Sequence, residues 1–300
     1  MNNQQTTSDP KSTAVDINEI VSMLSRINDT FSFPIYIPSL KKDVQFHQMT
    51  TSQQKSLVKT LVNNNEQSSD FLYAMYSIIK NNCVDKDVDI DSLTILDKMF
   101  ICIKLRAVSV GPDVAITIDK IRNEAKDLIP ISLNLDKAYD DMKKMYTPSF
   151  EASCTAELVD KTTKYMIGCV IPTLKTEIGI EKELQESLKQ KIEESKENSK
   201  DLKDAVGDMF IQEIVKFVSY LAIPTDTEGE LQKIDFSQLS FKNRIRLLEA
   251  LPSSMTSKLV EHVNKATAKL NSLSLVKLTH NGIKHSYQLE VTSNSFFIPS

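Results

Sequence analysis

The sequence predicts an α+β protein that is mostly helical and carries short antiparallel hairpins. Several long segments place apolar residues at helical spacing, and short alternating segments are bounded by polar turns. Glycine is also scarce, with only six glycines in 300 residues, and tryptophan is absent. Because nucleotide-binding α/β folds use glycine in phosphate loops and tight turns, this composition disfavours them.

Charge and hydropathy exclude several classes of protein. The chain is 41% hydrophobic and 25% charged, which is typical of a soluble globular protein, and its formal net charge is −4. A general nucleic-acid binder usually has a basic excess, so Lys242, Arg244 and Arg246 are interpreted as a solvated helix face, with DNA binding as the alternative. A membrane span needs about 20 consecutive apolar residues, and no segment of the sequence has them. The N-terminal segment is polar and lacks the apolar core of an export signal. We therefore expect a reduced, cytoplasmic chain.

The four cysteines do not show a metal-binding or redox spacing. Cys102 lies in the apolar run "MFICIKL" and is interpreted as a buried thiol. Cys154 and Cys169 lie on two consecutive segments that are interpreted as strands, so a disulfide between them is the alternative to free thiols. A cytoplasmic chain favours the thiols.

The chain divides into a flexible tail (1–15), an N-terminal unit (16–147) and a C-terminal unit (148–300). The tail is polar throughout. After it, Asp16 and Glu19 predict a capping box at the start of a first helix. The apolar residues on one face of this helix are Ile17, Ile20, Val21, Leu24 and Ile27.

A hairpin and three helices are predicted next. "FPIYIP" and "DVQFHQM" alternate around the polar "SLKKD" and predict two strands, of which the first lies at an edge because of its prolines. Helices are predicted over "TTSQQKSLVKTLVNN", "DFLYAMYSIIKNNC" and "SLTILDKMFICIKLRAVSVGP". The third is apolar on most sides, so we expect it to be central and buried. Thr94 and Asp97 cap it, and Gly111–Pro112 ends it.

The middle of the chain predicts short strands mixed with helices. "DVAITIDKIRNEA" is compatible with either a strand or a helix, and "PISLNLDKAYDDMKKM" predicts a strand followed by a helix. "SFEASCTAELVD" and "TKYMIGCVIP" predict two strands joined by a polar turn.

The C-terminal unit continues with a long charged helix over 181–204. An apolar helix is predicted over "MFIQEIVKFVSYLAI" and a short strand over "LQKIDF". Two further helices follow, over "LSFKNRIRLLEALP" and "SSMTSKLVEHVNKATAKLNSL". The final alternating segments around His280-Asn281-Gly282 predict a terminal hairpin.

One phrase occurs twice in the chain. "IYIPSLKKDVQF" (Ile35–Phe46) is similar to "CVIPTLKTEIGI" (Cys169–Ile180), 134 positions later. Similar helical segments follow each phrase, at offsets that grow to 139 and 146. Internal duplication of a strand–helix–helix–helix unit and chance similarity of helical segments are weighed equally.

The sequence contains no catalytic, cofactor or metal motif. Walker, dinucleotide-binding, nucleophile-elbow and zincin motifs are missing. The acidic run at Asp85, Asp87, Asp89 and Asp91 alternates like the start of an EF-hand loop but lacks its central glycine and closing glutamate, so it is interpreted as a solvated turn. His280 and His285 flank the terminal turn and are interpreted as surface residues. We therefore predict no catalytic residue, no cofactor and no metal site.

The chain ends on an apolar triplet, Phe296, Phe297 and Ile298. Chain ends are usually frayed and polar. An aromatic pair there is either packed on its own body, which is the commoner outcome, or presented to a partner. These three residues are the candidate partner-binding residues.

Three stretches resemble a known family, the baseplate hub assembly proteins of T4-like tailed phages. They are "FPIYIPSLKKDVQFHQMTTSQQKSLVKTLV", "DSLTILDKMFICIKLRAVSVGPDV" and the final "SFF". The resemblance is clearest over Phe33–Val114. It includes an "R-x-x-S-x-G-P" helix end formed by Arg106, Ser109, Gly111 and Pro112. The charged helix over 181–204 is less typical of the family.

The resemblance implies a late phage protein that is required to build the central hub of the baseplate. Its implied partners are other tail and hub proteins, including the tape-measure protein, rather than nucleic acid or a membrane. Its implied location is the host cytoplasm during assembly, and the virion if it is retained. Two alternatives stay open, namely a structural hub subunit retained in the particle and a tail-maturation enzyme.

Overall fold

The computed structural model describes residues 16–63, 69–122, 127–183, 211, 213–225, 227, 230–291 and 296–298. These residues form an α+β fold in which helices pack with short antiparallel sheets, which confirms the predicted fold class. Buried apolar side chains from both predicted units belong to one cluster. The boundary between the two units stays a prediction.

Helices make up much of the described chain. They are α1 (Ile17–Thr30), α2 (Thr51–Asn63), α3 (Ser69–Asn82), α4 (Ile95–Ser109), α5 (Leu135–Met145), α6 (Pro148–Cys154), α7 (Phe241–Glu249) and α8 (Ser253–Leu273). Short 3₁₀ turns over Ile90–Ser92 and Phe236–Gln238 precede α4 and α7. Residues 174–183 and 213–215 are also helical.

The strands form four separate antiparallel sheets among the described residues. They are β1 (Ser32–Ile37), β2 (Lys42–His47), β3 (Asp113–Arg122), β4 (Leu128–Asn134), β5 (Ala156–Val159), β6 (Met166–Cys169), β7 (Val218–Pro224), β8 (Leu231–Asp235), β9 (Leu275–His280) and β10 (Ile283–Gln288). β1–β2, β3–β4 and β9–β10 are hairpins, and the order of the fourth sheet is β5-β6-β7-β8. The predicted terminal turn is confirmed, with positive φ at Asn281 (49°) and Gly282 (78°).

Helix α4 lies at the centre of the fold, as its apolar sequence predicts. Thr94 and Asp97 form the predicted capping box at its start. The ring of Phe100 lies edge-on to three tyrosine rings from other elements. These are Tyr36 at 6.3 Å, Tyr139 at 5.5 Å and Tyr146 at 6.5 Å between ring centroids. Such edge-to-face contacts stabilise a core beyond the area they bury, so this cluster attaches β1 and α5 to α4.

Two predicted elements are wrong. The segment "SFEASC" is part of helix α6 rather than a strand, because Thr147 caps the backbone N–H of Phe150 and Pro148 occupies the first turn. The predicted apolar helix over "MFIQEIVKFVSYLAI" ends early, and its second half is strand β7, which pairs with β6 and β8. Its β-branched and aromatic residues suit a strand, and pairing with distant strands outweighs local helical spacing.

Two other predictions fall outside the described residues. The tail over 1–15 is one of them. The charged helix over 181–204 is the other, apart from residues 181–183, which are helical. The segment "DVAITIDKIRNEA", for which the sequence left strand and helix open, is strand β3 over its described part.

The repeated phrases share a strand and then diverge. In the first phrase β1 leads to Pro38 and a turn into β2, whereas in the second β6 leads to Pro172 and helical residues 174–183. A second local similarity lies ahead of α4 and α7. Each helix follows a 3₁₀ turn that begins after an aspartate, Asp89 or Asp235, whose side chain accepts a backbone N–H two residues on. Duplication of a whole unit stays a prediction.

Candidate functional site

The N-terminal end of α4 holds a fully buried carboxylate. Asp97 is 0% exposed. Its oxygens accept hydrogen bonds from the backbone N–H of Thr94 at 2.7 Å, the hydroxyl of Thr94 at 2.8 Å and the backbone N–H of Ser39 at 2.9 Å. A buried carboxylate needs such donors, and a helix N-terminus favours negative charge. Since Ser39 belongs to the first phrase, Asp97 attaches that phrase to α4.

The second phrase binds the same end of α4. The carbonyl of Pro172 accepts the backbone N–H of Ile95 at 2.9 Å, and the backbone N–H of Leu174 donates to Leu93 O at 2.7 Å. One turn further along, Lys98 Nζ lies 2.6 Å from both carboxylate oxygens of Glu177. The two similar phrases therefore meet at one point in space, where they hold the start of the central helix.

The C-terminal end of α4 holds a fully buried cation. Arg106 is 0% exposed. Its guanidinium donates to the main-chain carbonyls of Phe296 and Gly111, to Ile298 O at 3.1 Å and to Asp113 O at 3.4 Å. Burial lowers the pKa of Arg106 from its usual value. The carbonyls at the C-terminus of a helix favour a cation, so this end of α4 mirrors the Asp97 end.

The arginine binds the chain end that the sequence singled out. Phe296 is 1% and Phe297 0% exposed, and their ring centroids are 4.9 Å apart. Phe297 also packs against Phe71 at 6.1 Å, and its carbonyl accepts the side-chain amide of Gln54 at 2.9 Å. Only Ile298 keeps an accessible side chain. Of the three candidate partner-binding residues, two are thus buried against their own chain, and binding of a partner by the triplet stays a prediction.

The residues of the "R-x-x-S-x-G-P" pattern lie at the C-terminal end of α4, where they make hydrogen bonds or end the helix. Ser109 Oγ accepts the backbone N–H of Met49 at 2.8 Å. Gly111 has φ of 128°, in a region that favours glycine, and its carbonyl accepts from Arg106. In the sequence, these contacts were indicated by an arginine inside an otherwise apolar helix. The pattern did not show which distant carbonyls the arginine binds.

The carboxylates of the acidic run accept hydrogen bonds from within the chain. Asp85 accepts the backbone N–H of Gln45 at 3.0 Å, Asp89 accepts that of Asp91 at 3.1 Å, and Asp91 accepts the hydroxyl of Tyr76. The last bond, with burial, raises the pKa of Tyr76 to about 12. In the part of the chain that the structure describes, no group of three or more His, Cys, Asp or Glu residues is placed so that it could hold a metal ion.

The remaining reactive residue types have ordinary surroundings. All four cysteines are free, so the alternative Cys154–Cys169 disulfide is not formed. Burial raises the pKa of Cys102 and of Cys169 to about 12, which keeps both as unreactive thiols at neutral pH. In the basic segment, Arg244 Nε donates to Leu239 O at 3.1 Å, so this guanidinium is partly engaged within its own helix start.

Helix α1 presents a continuous apolar face to solvent. Asp16 caps it by accepting the backbone N–H of Asn18 at 2.9 Å. The large apolar side chains on and just after the helix are between 41% and 67% exposed. They are Ile17, Ile20, Val21, Met23, Leu24, Ile27 and Phe31.

A second apolar surface is a groove of about 740 Å³ that is lined by the end of α7, the first half of α8, and Ile211 and Ile214 ahead of β7. Leu248, Leu251, Leu259 and Val260 are among its lining residues. The helices described here include none long and apolar enough to cross a bilayer.

The fold and the two ends of α4 can now be compared with known proteins. A family model described as "T4 bacteriophage base plate protein" matches residues 30–296. No curated protein and no solved structure matches the chain. The match begins at the last residue of α1, so the exposed apolar helix lies almost wholly outside it.

Proposed function

The chain belongs to the T4 bacteriophage base plate protein family, and from this premise we propose that it acts without catalysis in the assembly of the baseplate's central hub. It works by binding other baseplate and tail proteins, the tape-measure protein among them. It acts in the host cytoplasm while the baseplate is built. Retention in the virion as a structural hub subunit is the alternative within the same class of function.

One observation supports a binding role most strongly. The residues that carry the family resemblance have packing and hydrogen-bonding tasks around α4. Ser39 binds Asp97, Ser109 binds Met49, and Arg106 binds Gly111 and Phe296. The residues of the family pattern therefore hold distant segments of the chain against one central helix. A body built in this way, with exposed apolar surfaces, suits recognition of other proteins.

The proposal is tested by removing the protein from an infecting phage and restoring it in trans. We expect particles without it to lack complete baseplates, and affinity-tagged protein to capture hub or tape-measure proteins from infected cells. Mass spectrometry of purified wild-type particles distinguishes a transient assembly factor from a subunit that is retained in the virion. A fixed stoichiometry indicates a retained subunit, and absence together with the assembly defect indicates a transient assembly factor. Normal baseplates on deletion, with no tail protein captured, would refute the proposal.

A separate experiment tests the alternative that the protein is a tail-maturation enzyme. Alanine replacement of His47, His262, His280 and His285 removes every histidine from the chain. Because histidine is the commonest general acid or base, loss of complementation by a folded quadruple variant would favour the enzyme hypothesis. We expect the variant to restore baseplates as well as the wild type does.

A further inference from the structure

The exposed face of α1 has the spacing of a helix-pairing seam. Ile17, Ile20, Leu24, Ile27 and Phe31 follow one another at intervals of three, four, three and four residues. This alternation is the a/d pattern by which two or more helices pack knobs into holes. Val21 and Met23 flank the seam and widen it.

The area of this face matches what a specific interface needs. All seven side chains are between 41% and 67% exposed, so they leave on the order of 600 Å² of apolar surface per copy. A single protein surface rarely carries an apolar patch above roughly 600 Å² without using it. One partner of a standard interface buries about 800 Å². Two such helices placed face to face therefore reach the lower range of specific association.

Two charged residues of α1 lie to the side of the seam. With about 100° per residue, Glu19 and Arg26 lie about 120° and about 140° around the helix from the centre of the seam. Both charged residues are exposed. A second copy of the same face can therefore approach without burying Glu19 or Arg26.

We propose that the protein associates with itself through α1, the apolar face of one copy packing against the same face of another. The face is self-complementary, as an isologous contact requires. It lies almost entirely before the matched residues 30–296, so the contact goes beyond what family membership implies. The proposal concerns the free protein and does not depend on the hub role.

The charge pattern disfavours a membrane as the occupant. Helices that lie on anionic bilayers usually carry several Lys or Arg residues on the polar face. α1 carries one basic residue, Arg26, and two acidic residues, Glu19 and Asp29, so it has no basic excess. The test must also distinguish self-association from the pairing of α1 with a different protein.

The test is the mass of the full-length protein in solution as a function of concentration, measured by sedimentation equilibrium or light scattering. The wild type is expected to rise from the monomer mass of 33.9 kDa towards at least twice that value over the micromolar range. Leu24→Glu places a charge at the centre of the seam and is expected to remain monomeric at all these concentrations. Ser22→Glu adds the same charge on the opposite, exposed side of α1 and is expected to associate like the wild type.

Each alternative result bears on the proposal directly. Ile27→Glu, at the seam position that follows Leu24, provides a second disrupting variant should Leu24→Glu lose helical structure by circular dichroism. A wild type that stays monomeric would overturn the proposal, including where the monomer pellets with anionic phospholipid vesicles. Association that survives both seam substitutions would overturn it as well, because another surface must then form the contact.

Discussion

Helices α1 and α4 are almost equal in length, with 14 and 15 residues, yet they use apolar side chains in opposite ways. Helix α4 is apolar around most of its circumference and is buried, and a buried charge at each end binds a distant segment of the chain. Helix α1 concentrates its apolar residues on one face and leaves that face open. The matched family residues include α4 and exclude most of α1. The comparison teaches that the residues matched by the family include the buried centre of the fold, whereas most of the exposed helix lies outside them.

The largest effect is expected at Asp97. Asp97→Ala leaves the buried donors of Thr94 and Ser39 without acceptors, so we expect the free energy of unfolding to fall by about 4 kcal/mol. Urea denaturation measures it. Asp97→Asn keeps one acceptor oxygen and is expected to lose less. A loss below about 1 kcal/mol for the alanine variant would show that the N-terminal end of α4 does not hold the fold together.

Replacement of Arg106 is expected to have the next largest effect. Arg106→Met keeps much of the apolar stem but removes four donor contacts to carbonyls, so we expect a loss of about 3 kcal/mol and release of the C-terminal triplet. Thermal unfolding reports the stability, and limited carboxypeptidase digestion reports the release. Arg106→Lys retains a charge but not the planar fork, and should fall in between. An uncleaved chain end in the methionine variant contradicts the role given to the arginine.

A smaller effect is expected where the second phrase meets α4. The side chains of Lys98 and Glu177 are 15% and 17% exposed, so their attraction is only partly screened. A double-mutant cycle with Lys98→Met and Glu177→Gln should give a coupling free energy of about 1 kcal/mol. Lys265 and Glu261, an exposed pair on α8, supply a matched control with coupling near zero. Equal coupling free energies in the two pairs would contradict the claim that burial strengthens the Lys98–Glu177 pair.

The smallest effect on stability is expected at α1. Leu24→Glu replaces a side chain that is 56% exposed, so the free energy of unfolding of the dilute protein should change by less than about 0.5 kcal/mol. Chemical denaturation at a concentration below the micromolar range, where the protein is monomeric, is the measurement. A loss like that of Asp97→Ala would mean that α1 is part of the body rather than a surface element.

The sequence predicted those features of the fold that neighbouring residues determine, and it missed features that depend on distant segments. The capping box of Thr94 and Asp97, the hairpin turn at Asn281-Gly282 and the burial of α4 follow from neighbouring residues, and all three were predicted. Strand β7 was predicted as a helix because its pairing with β6 and β8 comes from distant segments. Local patterns carry no information of that kind.

The candidate surfaces were predicted less well, for a related reason. The apolar stripe of α1 was visible at helical spacing, but spacing alone does not tell whether a stripe faces the core or solvent. The aromatic end was visible as an unusual composition, yet its anchor, Arg106, lies 190 residues away in the chain. Exposure and long-range contact required the folded structure.

The contrast between the two helices is tested most directly by amide hydrogen exchange of the full-length protein at two concentrations. The amides of α4 should exchange slowly at both concentrations, since opening them requires near-global unfolding. The amides of α1 should exchange rapidly in dilute protein and become protected at high concentration, where its apolar face is covered. Protection of α1 that is the same at both concentrations, whether high or low, would contradict the assignment of α1 as the surface through which copies of the protein associate.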